Sequence, residues 1–183
     1  MKYLVVSYGG VGTYMMMDVI GKNNFLKIPE TSGIWQKEYH HIKCPPKTFG
    51  EPVKVIYIYG DPYNALISHF RRRCILKEWA RNHCKNMHGE WWKLNTDWEL
   101  LDYLKNGEDL FKFEEHFDNW VNIKDKDYDV MVLKYEFVKK YENVVLSYLD
   151  SENPINYKER LSNWNDLDSD SFELLKNYVW KIL

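Results

Sequence analysis

The segment from Lys2 to Asp18, KYLVVSYGGVGTYMMMD, constrains the fold more than any other part of the chain. Leu4 to Val6 predict a short buried strand, Ser7 to Gly12 predict a glycine-rich turn, and Thr13 begins a helix. A strand that passes through such a turn into a helix directs backbone N–H groups and the positive end of the helix dipole toward one point. We therefore expect an anion to bind at this turn.

The glycines of the turn, Gly9, Gly10 and Gly12, suit an anion site because they lack the Cβ atom that would keep a phosphate away from the backbone. Thr13 adds a hydroxyl group. The turn has neither the lysine of the GxxxxGK[ST] motif of nucleotide triphosphatases nor the GxGxxG spacing of dinucleotide folds. A tight strand-to-helix turn that binds nothing is the alternative interpretation.

The composition predicts one soluble domain over residues 1–183. A net charge of −2 gives the chain no overall positive field, which argues against a nucleic-acid partner. Any anion site must therefore be a local cluster of positive charge. No apolar run approaches the roughly 18 residues of a membrane span, and no signal-like segment opens the chain. Three cysteines without CxxC spacing, Cys44, Cys74 and Cys84, favour reduced thiols and a cytoplasmic location.

The strand-turn-helix pattern recurs along the chain. Val53 to Tyr59 predict a second strand that ends at Gly60-Asp61-Pro62, and Asn64 to Leu76 predict the helix that follows. Asp129 to Tyr135 predict a third strand, with a helix over Glu136 to Leu149. This order predicts an α/β domain with a parallel sheet whose ligand crevice lies at the carboxyl ends of the strands.

The remaining segments have weaker patterns. Tyr39 to Cys44 could form another short strand, and further helices are predicted over Trp98–Leu104, Leu110–Val121 and Ser169–Leu183. The polar and aromatic region 77–122 is where we expect a helical insert that acts as a lid or wall for an acceptor molecule.

Three segments, in order, resemble the sulfotransferases that use 3′-phosphoadenosine 5′-phosphosulfate (PAPS). SYGGVGTYM is similar to the family's 5′-phosphosulfate loop, KVIYIYGDPYNALISHFRRR to its 3′-phosphate segment, and VMVLKYEFV to its strand ending in a K/R-Y-E-D pattern. FEEHFDNW and RLSNWNDL are similar to later segments. The resemblance implies a P-loop-like three-layer fold with a central parallel sheet and flanking helices, PAPS as sulfonate donor, and a carbohydrate or small-molecule acceptor.

The resemblance also implies roles for individual residues. Ser68 falls on the family's 3′-phosphate serine, and the loop that wraps the 5′-phosphosulfate corresponds to Gly9, Gly10, Val11, Gly12, Thr13 and Tyr14. Two departures remove positive charge: Gly10 stands where the family commonly has a lysine, and Gly60 where it commonly has an arginine.

Other cations could replace those two charges. Arg71 and Arg72 follow Ser68 by three and four residues, on the same helical face, and we favour Arg72 as a ligand. Lys158 and Arg160 lie in the region similar to the family's C-terminal phosphate-binding loop, and we take Arg160 as a further ligand. A solvated helix face is the alternative interpretation of the arginine run.

The candidate bases come from the segment HHIKCPP. His40 and His41 are both available where the family has a histidine, and Lys43 could stabilise charge in place of the missing loop lysine. His116 is a weaker candidate.

Two rival functions stay open. A P-loop small-molecule kinase is disfavoured by the missing lysine, whereas a non-catalytic phosphoadenosine-binding protein is made credible by Gly10 and Gly60. His83, Cys84 and His88 lack a fourth ligand, so no metal is expected. The chain is short for the family, so the acceptor site is open or is completed by a partner subunit in an oligomer.

Overall fold

The structure is a computed structural model, and it describes residues 1–21, 24, 26, 41–73, 84, 95 and 97–178, with the backbone alone at 72 and 73. Two short 3-10 turns lie at Tyr135–Phe137 and Trp164–Asp166. In chain order the strands and helices are β1 (Lys2–Val6), α1 (Thr13–Ile20), β2 (Val53–Tyr59), α2 (Pro62–Arg73), α3 (Leu100–Asn106), α4 (Phe113–Val121), β3 (Asp129–Lys134), α5 (Glu142–Tyr148) and α6 (Ser169–Leu175).

The three described strands form one parallel sheet in the order β1-β2-β3, with helices flanking it. Val6 of β1 lies opposite Tyr57 of β2, which lies opposite Val132 of β3. The prediction of an α/β domain with a parallel sheet is therefore confirmed. Because parallel strands end at the same edge, the loops after β1, β2 and β3 all begin there.

Both faces of β2 are buried, which is why its sequence is an almost continuous apolar run rather than an alternating one. Val55 and Tyr57 pack on one face with Trp120 of α4. Ile56 and Ile58 pack on the other face, in the larger cluster that includes residues of α1 and α2.

Three predicted helices begin later than the sequence pattern indicated, and the one expected from Trp98 begins at Leu100. The helix expected from Leu110 begins at Phe113, because Leu110 is buried in the core and Lys112 has a left-handed backbone, with φ of 50°. The helix expected over Glu136–Leu149 is split by a 3-10 turn and begins only at Glu142.

The short strand expected over Tyr39–Cys44 is wrong for its described part, residues 41–44, which pair with no strand. Side chains of α4 donate hydrogen bonds to the carbonyl groups of this segment instead. Trp120 Nε1 donates to the Ile42 carbonyl at 2.9 Å, and Asn119 Nδ2 donates to the Lys43 carbonyl at 3.3 Å.

The predicted lid falls partly outside the described residues. Within 77–122, α3 packs against the C-terminal helix α6, and α4 packs against β2. The predicted helix over Ser169–Leu183 ends at Leu175, and residues 179–183 lie outside the described part. Among the described helices, none has the length and apolar character needed to cross a membrane.

Candidate anion-binding site

A cavity of about 310 Å³ lies beside the glycine-rich turn that follows β1, which we call the glycine loop (Ser7–Gly12). Later parts of the chain form its other sides. Among the lining residues are Gly9, Gly10, Gly12, Thr13, Tyr14, His41, Ser68, Arg71, Tyr135 and residues 158–162. The structure thus places most of the sequence-predicted site residues around one space.

The glycine loop offers backbone donors to this cavity. Gly9, Gly10 and Gly12 all have positive φ, between 70° and 86°. No hydrogen bond joins the N–H groups of Gly10, Val11 or Gly12 to any described residue. The first N–H groups of α1 are also without partners inside the helix, as at every helix start. These donors can bind an anion.

Three residues of the predicted phosphate loop, Gly9, Val11 and Thr13, make contacts within the protein. The hydroxyl groups of Ser7 and Thr13 lie 2.7 Å apart in a buried contact, and Gly9 N–H donates to Ser7 Oγ at 2.9 Å. The Gly9 N–H is therefore occupied, and Thr13 holds the loop closed. The side chain of Val11 is buried in the core, so only its backbone is available to a ligand.

Gly10 is required by the packing of the loop on α2. A Cβ atom at this position would lie 3.0 Å from both Cα and O of Ala65, and its φ of 70° is unfavourable for other residues. A lysine at this position, which the resemblance would lead one to expect, does not fit this loop conformation.

The absence of a side chain at Gly60 leaves room for Arg160. A Cβ atom on Gly60 would lie only 2.6 Å from Arg160 Nη2, so the guanidinium occupies the space that a side chain at position 60 would need. Within the described part of the chain, Arg160 Nε and Nη2 are buried without a hydrogen-bond partner. Such unsatisfied donors beside a cavity are suited to an anionic ligand.

The segment that carries Arg160 is held by two contacts, one to Tyr135, which follows β3, and one to α2. The hydroxyl of Tyr135 donates to the Lys158 carbonyl, and Trp164 N–H donates to Asn64 Oδ1 at 2.8 Å. The Tyr135 ring also lies against Gly12, where a Cβ atom would approach it to 2.5 Å.

Hydroxyl groups and further cations complete the cavity. Ser68 is 3% exposed, and Arg71 lines the cavity from the exposed side of α2. The side chain of Arg72, our favoured ligand from the sequence, lies outside the described residues. Ser162 is also 3% exposed, and its Oγ has no hydrogen-bond partner among the described residues. Ser162 is not among the residues predicted from the sequence; the one signal for it is its place in RLSNWNDL, two residues after Arg160.

His41 lies at the base of the glycine loop. Its Nδ1 is 2.7 Å from the Ser7 carbonyl oxygen, and because that oxygen can only accept, Nδ1 carries the proton. In the neutral ring, Nε2 is then the basic nitrogen. His40 lies outside the described residues. Lys43 forms an ion pair with Glu115 at 2.5 Å and does not line the cavity, so it is not placed to replace a loop lysine.

His116 is fully buried and does not line the cavity. Its Nδ1 lies 3.0 Å from the Tyr57 hydroxyl, and its ring stacks on that of Tyr57. Burial, and to a smaller extent the nearby His41, hold the pKa of His116 well below its usual value of 6.5. This histidine is a packed, neutral core residue.

Of the three residues considered as metal ligands, His83 and His88 lie outside the described part of the chain, and Cys84 is buried. In the described ranges, no three residues of the metal-ligating types come together.

Comparisons of the chain with protein-family models, with curated proteins and with solved structures find no match.

Proposed function

We propose that this chain, as a P-loop-like fold, binds PAPS at the glycine loop and transfers its sulfonate to a hydroxyl of a carbohydrate or small-molecule acceptor. The observation that carries the proposal is the meeting of unpartnered loop N–H groups with Arg160, Ser68 and His41 around one cavity. The resemblance of three sequence segments to the PAPS-dependent family supports the same assignment.

The residues around the cavity match the demands of sulfonate transfer. The acceptor oxygen attacks sulfur, the bond from sulfur to the bridging oxygen breaks, and that oxygen leaves on the 5′-phosphate of adenosine 3′,5′-bisphosphate. The N–H groups of Gly10 to Gly12 and the start of α1 would stabilise the negative charge that builds there. The acceptor proton would go to His41 Nε2.

The cations would neutralise the phosphate groups of the donor. Arg160 has buried N–H groups that form no hydrogen bond with described residues, whereas Arg71 and Lys158 are exposed and act by charge. Tyr14 and Leu161, which are 60% and 78% exposed, add apolar surface to the cavity lining on which an acceptor could rest.

A second candidate is a phosphoadenosine-binding protein without turnover. It is favoured by one observation: Lys158 is the only lysine among the described residues that line the cavity, and it lies outside the glycine loop. A protein of this kind would bind the bisphosphate without transferring sulfonate. The cytoplasmic location and an oligomeric state stay predictions from the sequence.

Calorimetric titration of the purified chain tests the proposal. Adenosine 3′,5′-bisphosphate should bind without metal, and ATP, with or without Mg²⁺, should bind more weakly. Ser68→Ala, Arg160→Ala and Ser162→Ala should each weaken bisphosphate binding about tenfold, which is about 1.4 kcal/mol. Lys43→Ala removes a cation outside the cavity and should leave the affinity unchanged.

The outcomes separate the candidates. Binding of Mg-ATP alone would replace the proposal with the kinase. Bisphosphate binding without sulfonate transfer to any acceptor would favour the non-catalytic protein. No binding of either nucleotide would mean that the glycine loop is only a turn.

A further inference from the structure

The guanidinium of Arg160 is held in place by a carboxylate. Glu136 Oε1 lies 3.7 Å from Arg160 Nη2 and accepts the Asp61 N–H at 3.3 Å. Arg160 Nη1 donates to the Asp61 carbonyl at 3.3 Å, and the guanidinium lies 5.0 Å from the centre of the Tyr135 ring. Glu136 therefore connects the turn after β2 to the segment that carries Arg160.

A carboxylate at this place is unfavourable for anion binding in itself. It adds negative charge beside a cavity that is proposed to hold phosphate groups, and like charges repel. Its contacts offer a compensating effect, because they keep the guanidinium in the space beside Gly60, where Nε and Nη2 form no hydrogen bond with described residues.

We infer that Glu136 is a positioning residue for the anion site: it keeps Arg160 beside Gly60, where Nε and Nη2, which form no hydrogen bond with described residues, can bind a phosphate group of the ligand. The inference deepens the proposed function and rests on it for the identity of the ligand. The glycine at position 60 fits this arrangement, since a larger residue there would collide with Arg160 Nη2.

The sign of a mutational effect separates positioning from simple charge. If Glu136 contributed only its charge, its removal would tighten anion binding. If it positions Arg160, its removal weakens binding, because the guanidinium then keeps only its contacts with the Asp61 carbonyl and the Tyr135 ring and is less firmly placed. Glu159 is a matched control, since it is an exposed carboxylate that lines the same cavity and contacts no described residue by hydrogen bond or ion pair.

The experiment titrates the full chain with two probes, adenosine 3′,5′-bisphosphate and inorganic pyrophosphate. We expect Glu136→Ala to weaken binding of both probes about fivefold and Glu159→Ala to tighten it about twofold. Glu136→Gln should lose no more than about twofold, because its amide oxygen can still accept the Asp61 N–H. Thermal unfolding of each variant checks that the fold is retained.

A relocated arginine gives a second, independent test. Arg160→Ala should weaken binding, and adding Gly60→Arg to that variant should recover part of the loss, because a side chain at 60 then enters the vacated space. Gly60→Arg alone should weaken binding, since it collides with Arg160.

The inference is overturned if Glu136→Ala and Glu136→Gln tighten binding as Glu159→Ala does, or if the relocated arginine recovers nothing in a folded protein. A chain that binds pyrophosphate but not the bisphosphate would refute the proposed function alone, and the Glu136 comparison would then be made with pyrophosphate. A chain that binds neither probe would overturn both.

Discussion

The hydroxyl group of Tyr8 forms two hydrogen bonds with the backbone of Gly60: it donates to the carbonyl oxygen and accepts the N–H at 3.0 Å. The two residues are 52 positions apart, and their contact joins the glycine loop to the turn after β2. Burial raises the pKa of the Tyr8 hydroxyl, so the group stays protonated and continues to donate. The relative position of the two loops beside the cavity therefore depends on this side chain.

Tyr8→Phe should lower the free energy of unfolding by about 1–3 kcal/mol, because it leaves the buried polar groups of Gly60 without partners. The ring contact with Phe113, at 4.9 Å between centroids, would be retained. Urea unfolding measures the change. Tyr14→Phe is the control, because Tyr14 is exposed and should change stability by no more than about 0.5 kcal/mol. Equal effects of the two variants would contradict the role of Tyr8.

Gly10→Ala should be more destabilising than Gly50→Ala. Both glycines have positive φ, 70° and 74°, so both variants pay the left-handed backbone cost of about 1–2 kcal/mol. At Gly50 a Cβ atom meets nothing within 4 Å, whereas at Gly10 it presses on Ala65. We expect about 1–3 kcal/mol of additional destabilisation at Gly10, read from urea midpoints. Equal losses at the two positions would show that the loop can move away from α2.

As the pH is lowered below about 6.5, the free energy of unfolding should decrease because of His116. Its pKa is lowered in the folded state, so in that range the unfolded chain binds more protons than the folded one. The contribution of His116 is complete above about pH 6.5 and is lost, by at most about 1.4 kcal/mol per pH unit, as the pH falls toward the lowered pKa.

Urea unfolding between pH 5 and 8 measures this dependence. His116→Gln replaces the ring with an uncharged side chain that can still bond the Tyr57 hydroxyl. We expect the variant to be less stable at pH 8 but to depend less steeply on pH. The same slope in both proteins would mean that other groups carry the pH dependence.

His41→Gln should reduce sulfonate transfer by about 10²- to 10⁴-fold while bisphosphate binding stays within about twofold, since a general base acts on the acceptor proton rather than on the nucleotide. His40→Gln is the matched control from the adjacent position, and it should keep full activity. Release of adenosine 3′,5′-bisphosphate in the presence of acceptor measures transfer, and calorimetry measures binding. A loss with His40→Gln alone would reverse the assignment of the base.

The sequence identified much of the candidate site because glycine turns, helix starts and strand ends are local features. The glycine loop follows from these local features, whereas Ser68 and Arg160 follow from the resemblance to the PAPS-dependent family; the structure brings all of them to one cavity. Lys43 was predicted to lie in the site but does not line the cavity, and Ser162 was not predicted; both outcomes have a common reason. Whether a side chain meets a distant carboxylate such as Glu115, or is left without a partner, depends on contacts that local pattern does not record.

The sequence alone determined the three strands of the parallel sheet and the first turn, because apolar runs, turn residues and the spacing of strand-turn-helix units act over a few neighbouring residues. Tertiary structure decided what surrounds the two glycines, Gly10 and Gly60. It packs Gly10 against Ala65 and brings Arg160 into the space beside Gly60, where its guanidinium reaches an Asp61 carbonyl 99 positions away. Contacts at such separations depend on how the whole chain packs, which no single segment encodes.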